Sequence, residues 1–223
     1  MSYLGAAYDA LRDIMGPKAN DQFVNIKPSA GYRGKRNGLI VSPVFTTRGR
    51  VVTEPESDPP AYKKLDDIRM SIYREQQDLF RKLKPIVCLE AGDMEVAHTG
   101  DITSMIYQKM GSVGMLTDGY TRDMTVIDRI KYPVFSNGCV PIDAIGHWAL
   151  VDYMCDIRID DVEIMMGDYV AMDLDGALVI PGEIYKKGWR KKYLGVVARE
   201  GKIRDMIDED EDLDEILKKL GRW

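Results

Sequence analysis

The chain has 223 residues, of which 45% are hydrophobic and 30% are charged, and its formal net charge is -5. This composition is typical of a soluble globular protein with one sizeable core, and no window of about 18 to 20 residues is apolar enough to span a membrane. The acidic balance argues against a nucleic-acid-binding protein, whose affinity would come largely from Lys and Arg on phosphates.

The amino terminus and the cysteines indicate the compartment. No basic stretch followed by an apolar one opens the chain, so no secretory signal is visible. Cys88, Cys139 and Cys155 lie in apolar runs without metal-site spacing, which is typical of buried, reduced thiols. We therefore expect a cytoplasmic protein.

Residues 1–84 are predicted to form an amino-terminal helix, strands and an extra helical segment. Apolar residues recur at helical spacing from Leu4 to Met15, and residues 39–52 alternate as strands do. Thr53 to Tyr62 contains three prolines and is predicted to be an exposed loop. Lys63 to Lys84 has the pattern of an amphipathic surface helix.

Residues 85–181 carry the more informative pattern. Ile86 to Leu89 reads as a buried strand, and a helix from Ile102 to Met110 follows it. The apolar strand Val113 to Leu116, a short helix and the strand Pro133 to Phe135 complete a β-α-β-α-β series. Such a series predicts parallel strands with helices covering a face of the sheet.

After Val140 the pattern changes to consecutive strands, which predicts antiparallel structure with a hairpin turn at Asp173–Gly176. Within it, His147 and Trp148 are expected to be core residues. Residues 182–223 are predicted to form C-terminal helices, the last of them amphipathic from Leu213 to Leu220 and covered by the parent domain or by a neighbouring subunit. The fold class is therefore α/β, with residues 1–223 in a single domain.

One candidate binding position is Gly100-Asp101-Ile102-Thr103, at the start of the helix that follows the first parallel strand. Ligands gather at the carboxyl ends of parallel strands, and the first-turn N–H groups of a helix can receive a carboxylate. The simpler interpretation is a turn glycine followed by an N-cap aspartate. The spacing by itself does not separate the two.

The second candidate position follows the next strand, in Asp118-Gly119-Tyr120-Thr121-Arg122-Asp123. Arg122 can bind a carboxylate through two hydrogen bonds, and Asp123 offers an oxygen ligand to Mg²⁺ or Mn²⁺. Adjacent side chains rarely face each other, so the two are expected to point to different partners. The alternative is a surface arginine and an N-cap aspartate, with Tyr120 and Thr121 either lining a pocket or facing solvent.

Taken together, these positions resemble the family of the regulator of ribonuclease activity A, which also contains 4-hydroxy-4-methyl-2-oxoglutarate and 4-carboxy-4-hydroxy-2-oxoadipate aldolases. The resemblance covers about residues 85–181. It rests on Gly100-Asp101, Gly111, Gly114, Asp118-Gly119 and Arg122-Asp123, and on Lys131 to Phe135 and Gly167 to Pro181. A weaker similarity lies in Ala7 to Leu11.

The resemblance implies a β/β/α fold in homotrimers or homohexamers with sites at subunit boundaries. It implies that Gly100, Asp101, Ile102 and Thr103 help to hold a small 2-oxo acid, that Arg122 binds its acid end, and that Asp123 binds the metal. Asp101 would act through water, and Glu200 of a neighbouring subunit is a further candidate.

Three departures from the family pattern leave the substrate open. Ile102-Thr103-Ser104-Met105 replaces the usual leucines and alanines, the segment from Val52 to Leu83 is longer than the common pattern, and Lys84-Pro85 stands where a Pro-Gly-Asp is frequent. His98 is either an extra acid–base or substrate contact or, as we expect, a solvent-exposed loop residue.

The resemblance implies two alternative functions. The first is a divalent-metal-dependent lyase, an aldolase or an oxaloacetate decarboxylase, with Asp101, Arg122 and Asp123 as catalytic residues. The second is a non-catalytic regulator that binds and inhibits a ribonuclease, with the acidic segment from Asp208 to Glu215, otherwise a solvated connection, as a contact for a basic partner.

Overall fold

The computed structural model describes residues 3–32, 38–92 and 95–220. Within these residues the strands are β1 (Phe23–Val24), β2 (Pro28–Ala30), β3 (Ile40–Val51), β4 (Ile86–Glu90), β5 (Ala97–Thr99), β6 (Gly114–Thr117), β7 (Tyr120–Thr121), β8 (Val134–Phe135), β9 (Gly138–Cys139), β10 (Trp148–Tyr153), β11 (Ile157–Ile159), β12 (Val162–Ile164), β13 (Tyr169–Asp173) and β14 (Gly176–Ile180).

The helices lie mainly before β4 and after β14. They are α1 (Leu4–Met15), a 3₁₀ helix (Gly16–Gln22), α2 (Glu54–Ser57), α3 (Pro59–Glu75), α4 (Gln77–Leu83), α5 (Asp101–Met110), α6 (Met124–Ile130), α7 (Gly182–Ile184), a π-helical turn (Tyr185–Trp189), α8 (Arg190–Asp208) and α9 (Leu213–Leu220). None of the helices in the described ranges has the length and apolar composition needed to cross a membrane.

Four parallel strands form the centre of the main sheet, in the order β3, β4, β6, β8. Helices α5 and α6 connect successive strands, which confirms the predicted β-α-β-α-β unit. Strands β13, β14 and β1 extend the sheet antiparallel beyond β3, and β2 pairs antiparallel with β8. The hairpin between β13 and β14 turns at Leu174 and Asp175, as predicted.

Strand β3 joins the two kinds of pairing because it is long enough to serve three partners. Its first residues pair with β13, Val44 to Arg48 pair with β4, and Thr47 to Val51 pair with β10. Since successive side chains of a strand point to opposite faces, Val44 and Phe45 enter different cores.

The core lies on both faces of the sheet. One face packs against β11 and β12 through side chains such as Val44, Ile86 and Leu116. The other packs against α3, α4 and α5 and includes Phe45, Phe80 and Met115. Helices α1 and α8 cover β13 and β14, with Trp189 fully buried among them.

Several local predictions are wrong. The segment from Thr53 to Tyr62 contains helix α2 and the start of α3, because its prolines occupy first-turn positions, where a missing N–H costs nothing. The predicted helix from Lys63 to Lys84 is two helices with a break at Gln76. His147 is exposed although Trp148 is buried, and only one of the three thiols, that of Cys88, is fully buried.

A small parallel sheet of β5, β7 and β9 lies at the edge of the parallel unit. Strand β5 leads directly into α5, and β7 leads through Arg122 and Asp123 into α6. Pairing β5 with β7 therefore brings the starts of the two helices side by side, and with them the two candidate segments.

Candidate active site

A cavity of about 150 Å³ lies at the starts of α5 and α6. Its lining includes the six candidate residues, Gly100, Asp101, Ile102, Thr103, Arg122 and Asp123. Asp143 and Ile145, before β10, and Trp148, at the start of β10, complete the opposite side. The structure thus brings both predicted segments to one concave place.

Gly100 and Asp101 form the start of α5, but Asp101 is not the N-cap residue that the simpler interpretation expected. Gly100 is the N-cap residue, and Asp101 is the first residue of α5. Asp101 Oδ1 accepts the N–H of Ile102 at 2.7 Å, and the N–H of Asp101 lies 3.4 Å from Asp123 Oδ2. The first turn of α5 therefore already faces carboxylate oxygens, the ligand type that free N–H groups at a helix start attract.

Arg122 and Asp123 face each other, contrary to the expectation that adjacent side chains point to different partners. Arg122 Nε lies 3.3 Å from Asp123 Oδ2. The reason is the backbone of Asp123, which adopts a left-handed conformation with φ of 59° at the N-cap position of α6. Its side chain makes no capping hydrogen bond there, so the carboxylate is turned toward Arg122 and Gly100.

Gly100 is required by the close packing of these side chains. A Cβ atom at this position would lie 2.7 Å from Asp123 Oδ2 and 3.2 Å from Arg122 Cγ. The Arg122 N–H, in turn, donates to the Thr99 carbonyl at 3.1 Å and holds the two segments together. The lack of a side chain at Gly100 is thus what allows the pair to approach the start of α5.

Asp143 belongs to the cavity and was missed by the sequence reasoning. Its Oδ2 lies 3.8 Å from Arg122 Nη1. The backbone next to it is held by a hydrogen bond from the N–H of Ala97 to the Ile142 carbonyl at 2.7 Å. Because that contact joins segments far apart in the chain, no local pattern around Asp143 could have indicated its place.

His98 is buried, so the expectation of an exposed loop histidine is wrong. Only 9% of its surface is exposed, and its ring meets Trp148 edge-on with centroids 4.7 Å apart. Nδ1 accepts the Tyr120 N–H at 3.1 Å. Burial lowers the pKa of His98 to about 4, so the ring is neutral at pH 7.

Other candidates lie elsewhere. Thr121 is buried and donates to the Thr99 carbonyl, and Tyr120 lines a separate depression, so neither of them lines the cavity. Glu200 lies on α8 and pairs with Arg204 at 3.0 Å. Its contribution to a neighbouring subunit remains a prediction.

The donors around the cavity fit a hard cation with few protein ligands. Over the described ranges, no group of three or more His, Cys, Asp or Glu side chains comes together closely enough to enclose a metal. Asp101, Asp123 and Asp143 nevertheless bring carboxylates to the same cavity. Oxygen donors in small number suit Mg²⁺ or Mn²⁺, which keep several waters, better than they suit zinc.

Comparison with known proteins places this arrangement in context. A family model described as RraA-like (Aldolase/RraA) matches residues 11–179. The chain is similar to the structure of an uncharacterized protein from Pseudomonas syringae pv. tomato (TM-score 0.72, 19% identity, covering 96% of this chain and 88% of that one). None of the curated proteins matches the chain.

Two further structures are described as RraA proteins. One is RraAS2 of Streptomyces coelicolor, an unusual member of the RNase ES inhibitor RraA family (TM-score 0.66, 18% identity, 90% of this chain and 88% of that one). The other is the RNA-processing inhibitor RraA from Thermus thermophilus (TM-score 0.51, 16% identity, 78% and 92%). At these identities the similarity concerns the fold.

Proposed function

The chain belongs to the RraA-like family, which includes aldolases and ribonuclease inhibitors, and from that premise we propose that it is a divalent-metal-dependent carbon–carbon lyase acting on a small 2-oxo acid. One observation carries the proposal. The guanidinium of Arg122, the carboxylates of Asp123 and Asp101, and the start of α5 at Gly100 all lie at one cavity.

Arg122 would bind the carboxylate of the substrate. A guanidinium has five N–H donors in a fixed fork, so Arg122 can keep its 3.3 Å contact with Asp123 and still bind an acid group. Ion pairing to Asp123 and proximity to Asp143 hold the guanidinium over the cavity. The substrate would therefore meet a cation that is already oriented, which reduces the entropy lost on binding.

Asp123 would hold the metal, and Asp101 would reach it through water. A bound divalent cation stabilises negative charge that develops on a neighbouring oxygen atom. Aldol cleavage beside a 2-oxo acid and decarboxylation of oxaloacetate both leave a pyruvate enolate, so one cavity could serve either reaction. Asp101, the first residue of α5, would orient the water that returns a proton to the enolate carbon.

The test is release of pyruvate from 4-hydroxy-2-oxo dicarboxylates and from oxaloacetate, coupled to lactate dehydrogenase with Mg²⁺ or Mn²⁺. Asp123→Asn should lower kcat/KM by about 100-fold or more, because it removes the charge. Asparagine also tolerates the left-handed backbone, so the fold is kept. Asp78→Asn, on the exposed surface of α4, is the matched control and should leave turnover unchanged. Absence of turnover with every acid and metal would contradict the proposal.

A second candidate function, inhibition of a ribonuclease, is supported by a different surface. The acidic segment Asp208–Glu215 connects α8 to α9, as expected, and its two ends belong to those helices. All its side chains are exposed, including those of Glu209, Glu211 and Asp212. A basic partner could bind there while the cavity stays intact. Recovery of a ribonuclease from lysate, lost in high salt and in a variant with these acids replaced by Asn and Gln, would support it.

A further inference from the structure

His98 lines the cavity and carries a polar atom that has no partner within the described chain. Its Nε2 atom is fully buried and makes no hydrogen bond with the described residues. The other ring nitrogen, Nδ1, accepts the backbone N–H of Tyr120. In a neutral imidazole one nitrogen accepts and the other carries the proton, so the hydrogen bond from Tyr120 places the proton on Nε2.

Contacts with Trp148 and Gly119, together with the hydrogen bond from Tyr120, hold the ring in this orientation. The His98 ring packs at a steep angle against Trp148, whose indole N–H donates to the Ala91 carbonyl at 2.7 Å. Gly119 leaves no room for a side chain on the other side, because a Cβ there would lie 2.3 Å from His98 Nδ1. The tautomer and the direction of the N–H are therefore set before any ligand arrives.

Such an arrangement is unfavourable for a purely structural histidine. A buried N–H without an acceptor loses its hydration and gains nothing in return. A hydrophobic ring would fill the same space against Trp148 without that loss. An acceptor supplied by a ligand in the cavity removes the penalty.

We propose that His98 is a substrate-binding residue, which donates its Nε2–H to an uncharged oxygen, a carbonyl or hydroxyl, of the oxo acid that Arg122 holds by its carboxylate. The inference rests on the proposed lyase function and adds the substrate's second polar contact. A neutral donor beside Trp148 and Leu89, both of which line the cavity, suits an uncharged acceptor, since the charge of a carboxylate would be left uncompensated there.

The chain contains only two histidines, which makes the contact directly observable. Protein labelled with ¹⁵N in histidine gives signals from His98 and from the exposed His147, and His147→Gln assigns them. Pyruvate and 2-oxoglutarate, each with Mg²⁺, serve as stable probes. We expect the ligand-free protein to show a neutral Nε2–H tautomer of His98, and either probe to shift its Nε2 signal while that of His147 stays in place.

Calorimetric titration with the same probes measures how much His98 contributes to the binding affinity. His98→Phe keeps the ring shape but removes the donor, and it should weaken binding by about tenfold. His98→Gln restores an N–H at a similar distance and should recover most of that loss. A merely structural role predicts the same affinity for both variants once thermal unfolding shows that they are folded.

The outcomes separate the two proposals. Binding that needs Arg122 but leaves the His98 signal and the His98→Phe affinity unchanged would overturn the role of His98 and leave the lyase standing. A shifted His98 signal without turnover in the coupled assay would support the role of His98 and reject the lyase. Failure of both probes to bind would reject both.

Discussion

The backbone at Asp123 shows how one residue's conformation shapes the site. A left-handed φ at a residue other than glycine costs about 1 to 2 kcal/mol, and aspartate is one of the residues that tolerate it best. Here that conformation turns the carboxylate toward Arg122 and Gly100 rather than along the first turn of α6. We infer that some stability is given up at this position to aim the carboxylate.

Gly100 allows a prediction that separates site geometry from stability. Gly100→Ala would place a Cβ 2.7 Å from Asp123 Oδ2, so the carboxylate and Arg122 must move. We expect kcat/KM to fall by about tenfold to a hundredfold, with a change of roughly 1 kcal/mol in the free energy of unfolding. Gly195→Ala, on α8 with no atom within 4 Å, is the control and should stabilise by roughly 0.5–1 kcal/mol. Full activity of Gly100→Ala would contradict the assigned geometry.

His98 should make stability depend on pH. Its pKa is about 4 in the folded protein and about 6.5 in an unfolded chain. Below pH 6.5 His98 binds a proton in the unfolded chain but stays unprotonated in the folded protein. The free energy of unfolding therefore falls as the pH drops from 6.5 to 4. Through His98, the free energy of unfolding should be about 2 kcal/mol lower at pH 5 than at pH 7.

Urea unfolding at pH 7 and pH 5 measures this contribution. The wild type should lose about 2 kcal/mol more over that interval than His98→Phe, because phenylalanine has no proton to bind. His147→Phe is the matched control, since that side chain is exposed, and it should follow the wild type. Equal slopes in the wild type and in His98→Phe would show that the histidine is not buried in its neutral form.

At the scale of elements, the pairing of β3 with β10 forms the wall behind His98. Leu150 is in register with Gly49, and the Trp148 indole lies over that glycine. A Cβ at Gly49 would lie 1.7 Å from Trp148 Cζ2. The glycine therefore lets the indole lie against the sheet, where it packs against the His98 ring.

Gly49→Ala should damage both the fold and the cavity. Because no rotation of a flexible side chain relieves a contact with a buried indole, we expect a loss of about 3 kcal/mol in the free energy of unfolding. Oxo-acid binding should weaken as well. Gly201→Ala, where no atom lies within 4 Å, serves as the control. Measurement is by urea unfolding monitored through tryptophan fluorescence, and a loss below 1 kcal/mol would show that the indole can shift.

At the scale of the whole molecule, apolar side chains surround the cavity mouth. Ile102 and Ile145 line the cavity and are 64% and 68% exposed, and Met105 and Ile142 are exposed beside them. RraA family proteins are typically oligomeric. Burial of such a patch against a neighbouring subunit would remove its contact with water.

We therefore expect trimers or hexamers in sedimentation experiments, and Ile145→Asp should shift the distribution toward smaller species. Leu174→Asp is the matched control, because Leu174 is equally exposed but lies in the β13–β14 turn. If the assembly is needed to complete the site with Glu200, Ile145→Asp should also lower turnover. A monomeric wild type would contradict the prediction.

Much of the architecture could be predicted from the chain because it depends on local periodicity. The buried runs at Ile86 and Val134 and the helical pattern at Ile102 specify parallel strands joined by helices, and their carboxyl ends meet at one edge. That reasoning also brought Gly100-Asp101 and Arg122-Asp123 into one region. The division into residues 1–84, 85–181 and 182–223 remains a prediction.

Contacts between distant segments decided the rest. His98 looks like a polar loop residue beside its neighbours in the chain, and its burial depends on Trp148, 50 residues later in the sequence. Asp143 enters the cavity because the backbone of Ile142 pairs with Ala97. Local sequence determined which segments could carry chemistry, whereas packing between remote segments determined which side chains are dry, neutral and close enough to act together.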